Sequence, residues 1–297
     1  VNFKSLIIIN TLKKLNQKIV VTFHGADLQS DKSINYGYRL DKKYEKYLLK
    51  TIKNIDLFIN ISSIMKKNLI NLGVDINKIV YLPNTVNVDK ITKFSKSNIS
   101  NLDNDSRKIK LITVARFDKS VKGYDFVEVV ASKLLQNNIN FLWTIIGQNT
   151  KKLENYKFIK RNKDLFNIYE NIGNDDEKYF PHTSVIKAYF NSDIYINLSR
   201  IESFGVTFIE AIACELPIIS FNSKGANEVV IDNYNGFLIN SKSLDVYVEK
   251  LIKLSKNKAL LKFDKNNFLK TVEKYDLGAI TNQLINIYNT RLTHWKT

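Results

Sequence analysis

Apolar runs of strand length recur along this chain, and segments of helical period separate them. That alternation constrains the fold more than any other feature. Parallel strands need long crossovers between them, usually helices, so the pattern predicts an α/β architecture with parallel sheets. Strands are expected at 19–23, 57–61, 79–82, 109–114, 141–146, 165–172, 194–198, 217–221 and 236–239. Helices are expected at 41–52, 64–72, 126–135, 185–190, 206–213, 226–231 and through most of 244–291. Ser62 stands where an N-cap belongs, Gly73 where a C′ glycine belongs, and Pro217 at the first residue of its strand.

A polar stretch interrupts the alternation at 91–107, ITKFSKSNISNLDNDSR. It reads as the connection between two domains, a size consistent with 297 residues. The expected division is a partial N-terminal domain at 1–95, a linker at 96–107, a C-terminal domain at 108–275 and a final helical segment at 276–297. The chain opens at Val1 in mid-pattern without an initiator Met, which suggests a piece of a longer protein.

Charge and cysteine usage narrow the class. Cys214 is the single cysteine, so no disulfide framework is available and a reducing, cytoplasmic home is the simple expectation. No apolar run approaches the length of a membrane span. The formal net charge is +16, and residues 1–100 hold 17 Lys+Arg against 7 Asp+Glu. Codon bias toward Lys explains this as well as attraction to an acidic partner does. An anionic membrane surface is one such partner, with peripheral attachment at the inner face. The candidate contact is Lys42, Lys43, Lys46, Lys50 and Lys53 with Tyr44 and Tyr47; an ordinary solvated helix is the plain alternative. Nucleic acid is not expected, because arginines are few and no basic cluster is interleaved with stacking aromatics.

Three segments could carry chemistry. In ESFGVTFIE, Glu202 to Glu210, a glycine opens a helix after a strand. The first-turn N–H groups of such a helix lack intrahelical partners and favour an anion, so a diphosphate fits there. Glu202 and Glu210 would accept hydrogen bonds from sugar and ribose hydroxyls; a capped helix with a solvated Glu is the alternative. In VARFDKSVKG, Arg116 follows a strand and Lys122 precedes the next helix. Two cations there could neutralise a diphosphate leaving group without a metal, or simply form a basic turn. In FHGAD, His24 stands at a strand end, where open α/β sheets place ligands, or serves structure alone. Asp103-Asn104-Asp105 matches a metal-binding D-x-D, but it sits in the polar linker and reads as a solvated loop. No metal site is expected.

In order along the chain, HGAD (24–27), PNTVN (83–87), VARFDKSVKG (114–123), IIG (145–147), the E-x7-E run (202–210), GANEVV (225–230) and NGFLI (235–239) resemble the retaining glycosyltransferases of family 4. The resemblance implies a GT-B fold: two Rossmann-like domains facing a cleft, the N-terminal one incomplete here. It implies transfer of a sugar from a nucleotide diphosphate sugar, with UDP the commoner base, to a cell-envelope, polysaccharide or lipid-linked acceptor. No cofactor beyond the donor substrate is implied. Arg116 and Lys122 would hold the diphosphate, and Glu202 the hydroxyls of the transferred sugar. Ser203 and the backbone of Phe204, Gly205 and Val206 would line the donor, Glu210 would bind the ribose, and His24 would lie near the anomeric carbon. The final helix would cross back to the N-terminal domain. Thr85, Asn87 and Asn149 depart from the family's Gly, Asp and Gly. Other readings stay open: a catalytically impaired nucleotide-sugar-binding fragment or partner module, and a GT-B epimerase or phosphorylase.

Overall fold

The computed structural model describes residues 1–98, 108–172, 180–240 and 243–291. It divides into two compact units: Val1–Asn84 with Glu202–Phe204 and the chain from Gly278, and Thr85–Ile201 with Gly205–Leu277.

The first unit runs α1 (Phe3–Lys14), β1 (Val20–Thr22), α2 (Lys42–Ile52), β2 (Leu57–Asn60), α3 (Ser63–Asn71) and β3 (Ile79–Tyr81). Its three strands are parallel in the order β1-β2-β3. All four residues of β2 are buried, as a central parallel strand requires. Asp41 caps α2 by accepting from the Lys43 and Tyr44 amides, and Tyr44, Leu48, Thr51 and Ile52 form its buried face. Tyr44 is therefore core, with its hydroxyl on the Asp27 carbonyl, and does not join the exposed lysines as the sequence suggested. Position 44 lies on the opposite side of the helix. The long C-terminal helix, Leu277–Arg291, sets Ile280, Leu284 and Ile287 against Leu57, Ile59 and Leu82 of this sheet.

Helix α1 has no counterpart in the sequence pattern. Its apolar residues crowd around the axis and only Leu6 and Ile9 are buried, so no clean stripe marks it. Ser62 holds the N-cap position of α3, yet its hydroxyl caps nothing. Gly73 does what its position suggests. It adopts φ +81°, and the Gly73 and Val74 amides reach back to the Ile70 and Leu69 carbonyls in a Schellman closure.

The second unit begins with α4 (Val88–Asn98), followed by β4 (Ile109–Val114), α5 (Val127–Gln136), β5 (Phe141–Ile146), α6 (Lys157–Arg161), β6 (Phe166–Tyr169), α7 (Thr183–Phe190), β7 (Ile194–Asn197), α8 (Val206–Ala213), β8 (Ile218–Phe221), β9 (Gly236–Ile239), α9 (Leu244–Lys256) and α10 (Lys265–Val272). The Leu277–Arg291 helix is thus α11. Helix α4 corrects the reading of 91–98 as structureless. Asn87 accepts from the Lys90 amide at 2.9 Å as its N-cap, Ile91 is fully buried, and Phe94 stacks on Phe190. Spaced three apart among polar residues, Val88, Ile91 and Phe94 were too sparse to announce a helix. The linker's remainder, with Asp103 and Asp105, lies outside the described residues.

Six parallel strands form the sheet of this unit, in the order β6-β5-β4-β7-β8-β9. The chain builds outward from β4 on one side and then returns to the other side at β7. That is the doubly wound order of a Rossmann-like sheet, and its switch point falls between β4 and β7. Helices α5 and α9 cover one face with Val127, Val130, Leu134, Tyr247, Val248 and Leu251. Inside, the Trp143 indole donates to Thr113 Oγ1 at 3.1 Å, and that hydroxyl donates to the Ile196 carbonyl at 2.8 Å. This chain of bonds joins β5, β4 and β7 just beneath the switch point.

Candidate functional site

The loops leaving β4 and β7 flank the switch point, where open α/β sheets bind ligands. Arg116 lies on the first. The backbone on either side of it is fixed by two ladder-like bonds to the end of β5 and the loop that follows, Ala115 N to Ile146 O at 2.9 Å and Phe117 N to Gln148 O at 2.8 Å. The approach requires Gly147, because a Cβ there would collide with the Ala115 carbonyl. Asn149, in place of a glycine, sits at φ +63°, a left-handed conformation that asparagine tolerates. The Arg116 side chain is exposed and makes no hydrogen bond or ion pair to a described residue.

Lys122 lies farther along the same loop and is half-buried. Asp118 folds the loop by accepting from the Ser120 and Val121 amides at 3.0 and 2.8 Å, and its carbonyl accepts from the Lys122 amide. Gly123 takes φ +70° directly against the Leu198 carbonyl, which leaves no room for a side chain. The β4 loop is thereby pressed onto the end of β7.

Gly205 precedes α8 at φ +86° and supplies no capping side chain, so the amides of the first turn are not capped by one. Tyr195 ties this helix start to β4: its hydroxyl lies 2.9 Å from Thr207 Oγ1 and 3.1 Å from the Val114 carbonyl. Arg116, Lys122, Gly205 and Val206 therefore belong to loops at one switch point of the second unit. A helix start without a side-chain cap, at the same switch point as two cationic residues, is an arrangement that favours an anion.

Glu210 lies one turn into α8. It is buried, and its Oε2 accepts from the Tyr189 hydroxyl at 2.8 Å. Burial pushes its carboxyl up to about 7, against the lowering effect of that hydrogen bond. Tyr189 had not been singled out. A buried tyrosine hydroxyl needs a partner, but sequence does not say which.

His24, Glu202, Ser203 and Phe204 fall in the first unit. His24 is exposed in the loop after β1, where the buried Asp27 shapes the turn by accepting from the His24 and Gly25 amides at 3.2 and 2.8 Å. Ser203 donates to Gln29 Oε1 at 2.6 Å, and a Cβ on Gly25 would strike Ser203 Oγ. The Asp27 and Gln29 contacts were likewise not foreseen. Phe204 is buried and Glu202 half-buried. Thr85, in place of the family's glycine, needs no special backbone. Its hydroxyl donates to the Tyr275 carbonyl at 2.8 Å. Among the described residues no group of His, Cys, Asp or Glu side chains could hold a metal, and no helix is long and apolar enough to cross a membrane.

Comparison with known proteins gives the family. The pattern of the glycosyl transferases group 1 matches residues 94–269, and that of Glycosyltransferase Family 4 matches residues 3–90. The GPI3 subunit of phosphatidylinositol N-acetylglucosaminyltransferase from Saccharomyces cerevisiae is 24% identical over 249 residues, covering 82% of this chain and 52% of that protein. A poly(ribitol-phosphate) alpha-N-acetylglucosaminyltransferase from Staphylococcus aureus is 24% identical over 252 residues, covering 84% of this chain and 47% of that one. The chain thus spans about half the length of these curated relatives. Among solved structures, Anabaena HepE in complex with UDP and glucose superposes with a TM-score of 0.74 at 14% identity, covering 97% of this chain and 76% of its own. Two parallel-sheet units, a Rossmann-like strand order and a family match over more than half of the residues lead to one conclusion: the chain belongs to the glycosyl transferases group 1, with the GT-B fold.

Proposed function

We propose that this chain carries the donor-binding and reacting residues of a retaining glycosyltransferase. It would transfer a sugar from a nucleotide diphosphate sugar, a UDP-sugar in the first instance, to a cell-envelope, polysaccharide or lipid-linked acceptor. The observation that carries the proposal is the convergence of the Arg116–Lys122 loop and the uncapped start of α8 on the β4/β7 switch point. The relatives support the substrate class, since two of them are named for N-acetylglucosaminyl transfer and HepE was solved with UDP and glucose.

In this reading the bond between the anomeric carbon and the diphosphate oxygen breaks with oxocarbenium character. The acceptor oxygen bonds to the same face, and the leaving phosphate takes the acceptor's proton. Arg116, Lys122 and the first-turn amides of α8 meet the charge that develops on the phosphate. The helix amides do so better than water because they are already oriented. Glu202 holds hydroxyls of the transferred sugar, with Ser203 and Phe204 in the same run. Glu210 takes the ribose, and His24 stands by the anomeric carbon. With two cations on the diphosphate, the reaction needs no metal and should continue in excess EDTA.

Calorimetric titration with UDP, followed by product analysis with a UDP-sugar and glycan acceptors, tests the reading. Binding and transfer with retained anomeric configuration are expected. No UDP binding at millimolar concentration would sink it. Conversion of donor alone to an epimer would shift it to an epimerase, and binding without turnover to a nucleotide-sugar-binding module.

The lysines of α2 suggest where such an enzyme works. Lys42, Lys46, Lys50 and Lys53 line one groove with Leu49 and Leu72, and Glu45 in the same groove is paired with Arg39 at 2.8 Å. We assign this stripe to an anionic membrane surface, placing the protein peripherally at the cytoplasmic face. Co-sedimentation with phosphatidylglycerol vesicles but not with phosphatidylcholine vesicles is expected; equal partition would remove the assignment.

A further inference from the structure

One residue outside every recognised motif holds the backbone immediately before Lys122. Arg200, on the loop leaving β7, engages three consecutive carbonyls of the β4 loop. Its Nη1 donates to Lys119 O at 3.3 Å and Ser120 O at 2.9 Å, and its own amide donates to Val121 O at 2.9 Å. The guanidinium also forms a two-pronged bond with Asp125, at 2.8 and 2.7 Å, and lies 3.8 Å over the Phe126 ring. Asp118 holds the amides of Ser120 and Val121 from the other side. The loop backbone is thus clamped through both its donors and its acceptors.

A partly exposed ion pair contributes little to global stability. A six-contact clamp on one loop therefore points to local placement. We propose that Arg200 is a positioning residue: it sets the Lys122 loop for the donor diphosphate without touching the donor itself. The proposal rests on the donor-site reading of Lys122. Arg200 is not placed as a further donor-binding cation, because its guanidinium is occupied by Asp125, two carbonyls and Phe126. Its fork geometry matters, since an ammonium could not make the same set of bonds.

Two measurements on the intact chain test this. In UDP titrations, Arg200→Ala should weaken binding about 10-fold, in line with losing charge-assisted bonds that hold the loop. In a Lys122→Ala background the same change should weaken it by no more than about 2-fold, because positioning acts through Lys122. Independent, multiplicative losses would overturn the proposal, as would full rescue by Arg200→Lys, which would mean that charge alone matters. Asp125→Ala serves as a second variant should Arg200→Ala fold poorly, with the same outcomes. Hydrogen exchange supplies an arm free of ligand. Amides 120–122, bonded to Asp118, should lose protection in Arg200→Ala while those of β4 and α5 keep theirs; unchanged protection overturns the clamp. Absence of UDP binding to the wild-type chain would instead defeat the donor-site reading, leaving hydrogen exchange to decide on the clamp.

Discussion

Tyr189 reaches from α7 to donate its hydroxyl to Glu210 Oε2 on α8 at 2.8 Å, with both side chains buried. The bond gives a carboxyl that water hardly reaches one fixed partner. It leaves the other oxygen, Oε1, for a second donor, and a ribose hydroxyl is the one the proposed function assigns.

The carboxyl's elevation makes stability depend on pH. A group raised from 4.5 when unfolded to about 7 when folded binds more protons in the native state. Its contribution is fully present below about 4.5 and is lost as pH rises through about 7. Across that window the loss should be on the order of 3 kcal/mol relative to Glu210→Gln, which cannot titrate. Denaturant midpoints for the two proteins between pH 4.5 and 8 check this; parallel curves would show that the site ionises without penalty.

Arg116→Ala and Lys122→Ala should each weaken UDP binding by roughly 10- to 100-fold, the usual consequence of removing a charge-assisted hydrogen bond to an anion. Uridine, which lacks the diphosphate, should bind both variants as it binds the wild type. The contrast between the two ligands by calorimetry separates loss of a phosphate contact from general damage to the fold.

Gly123→Ala should destabilise the second unit by more than about 1 kcal/mol, since the residue sits at φ +70° against the Leu198 carbonyl. The β4 and β7 loops would have to separate to admit a methyl group, so UDP binding should fall with it. Thermal unfolding and titration of the same sample test both parts. Gly73→Ala serves as control: φ is +81° there too, but nothing stands within 4 Å, so melting should fall while UDP binding stays.

Thr113→Val keeps shape and removes the hydroxyl between Trp143 and Ile196. The buried indole N–H then lacks its partner, and stability should drop by about 1–3 kcal/mol. Thr113→Ser, which retains the bond, should recover most of that. A valine variant as stable as the wild type would mean that the relay contributes nothing.

Much of this protein was legible as one-dimensional pattern. Strands such as 109–114 and 141–146 are predominantly apolar runs because both faces of a parallel sheet are covered, and that signal survives without any knowledge of neighbours. The helix-opening glycine at 205, the closing glycine at 73 and the cation pair at 116 and 122 could likewise be read locally, since backbone conformation and charge belong to the residues themselves. Helix α1 escaped because its apolar residues surround the axis, and α4 because three apolar residues among polar ones looked like a linker.

What a ribbon of letters cannot carry is partnership across long separations. Strand order decided that the loops at 115–126 and 198–201 adjoin, and only then did Arg200 become a clamp instead of a stray basic residue. Burial decided that Tyr44 faces the core and that Glu210 meets Tyr189 in place of solvent. Hydrogen bonds and desolvation act through distance in space, and for these pairs distance in space is set by how the sheet is wound.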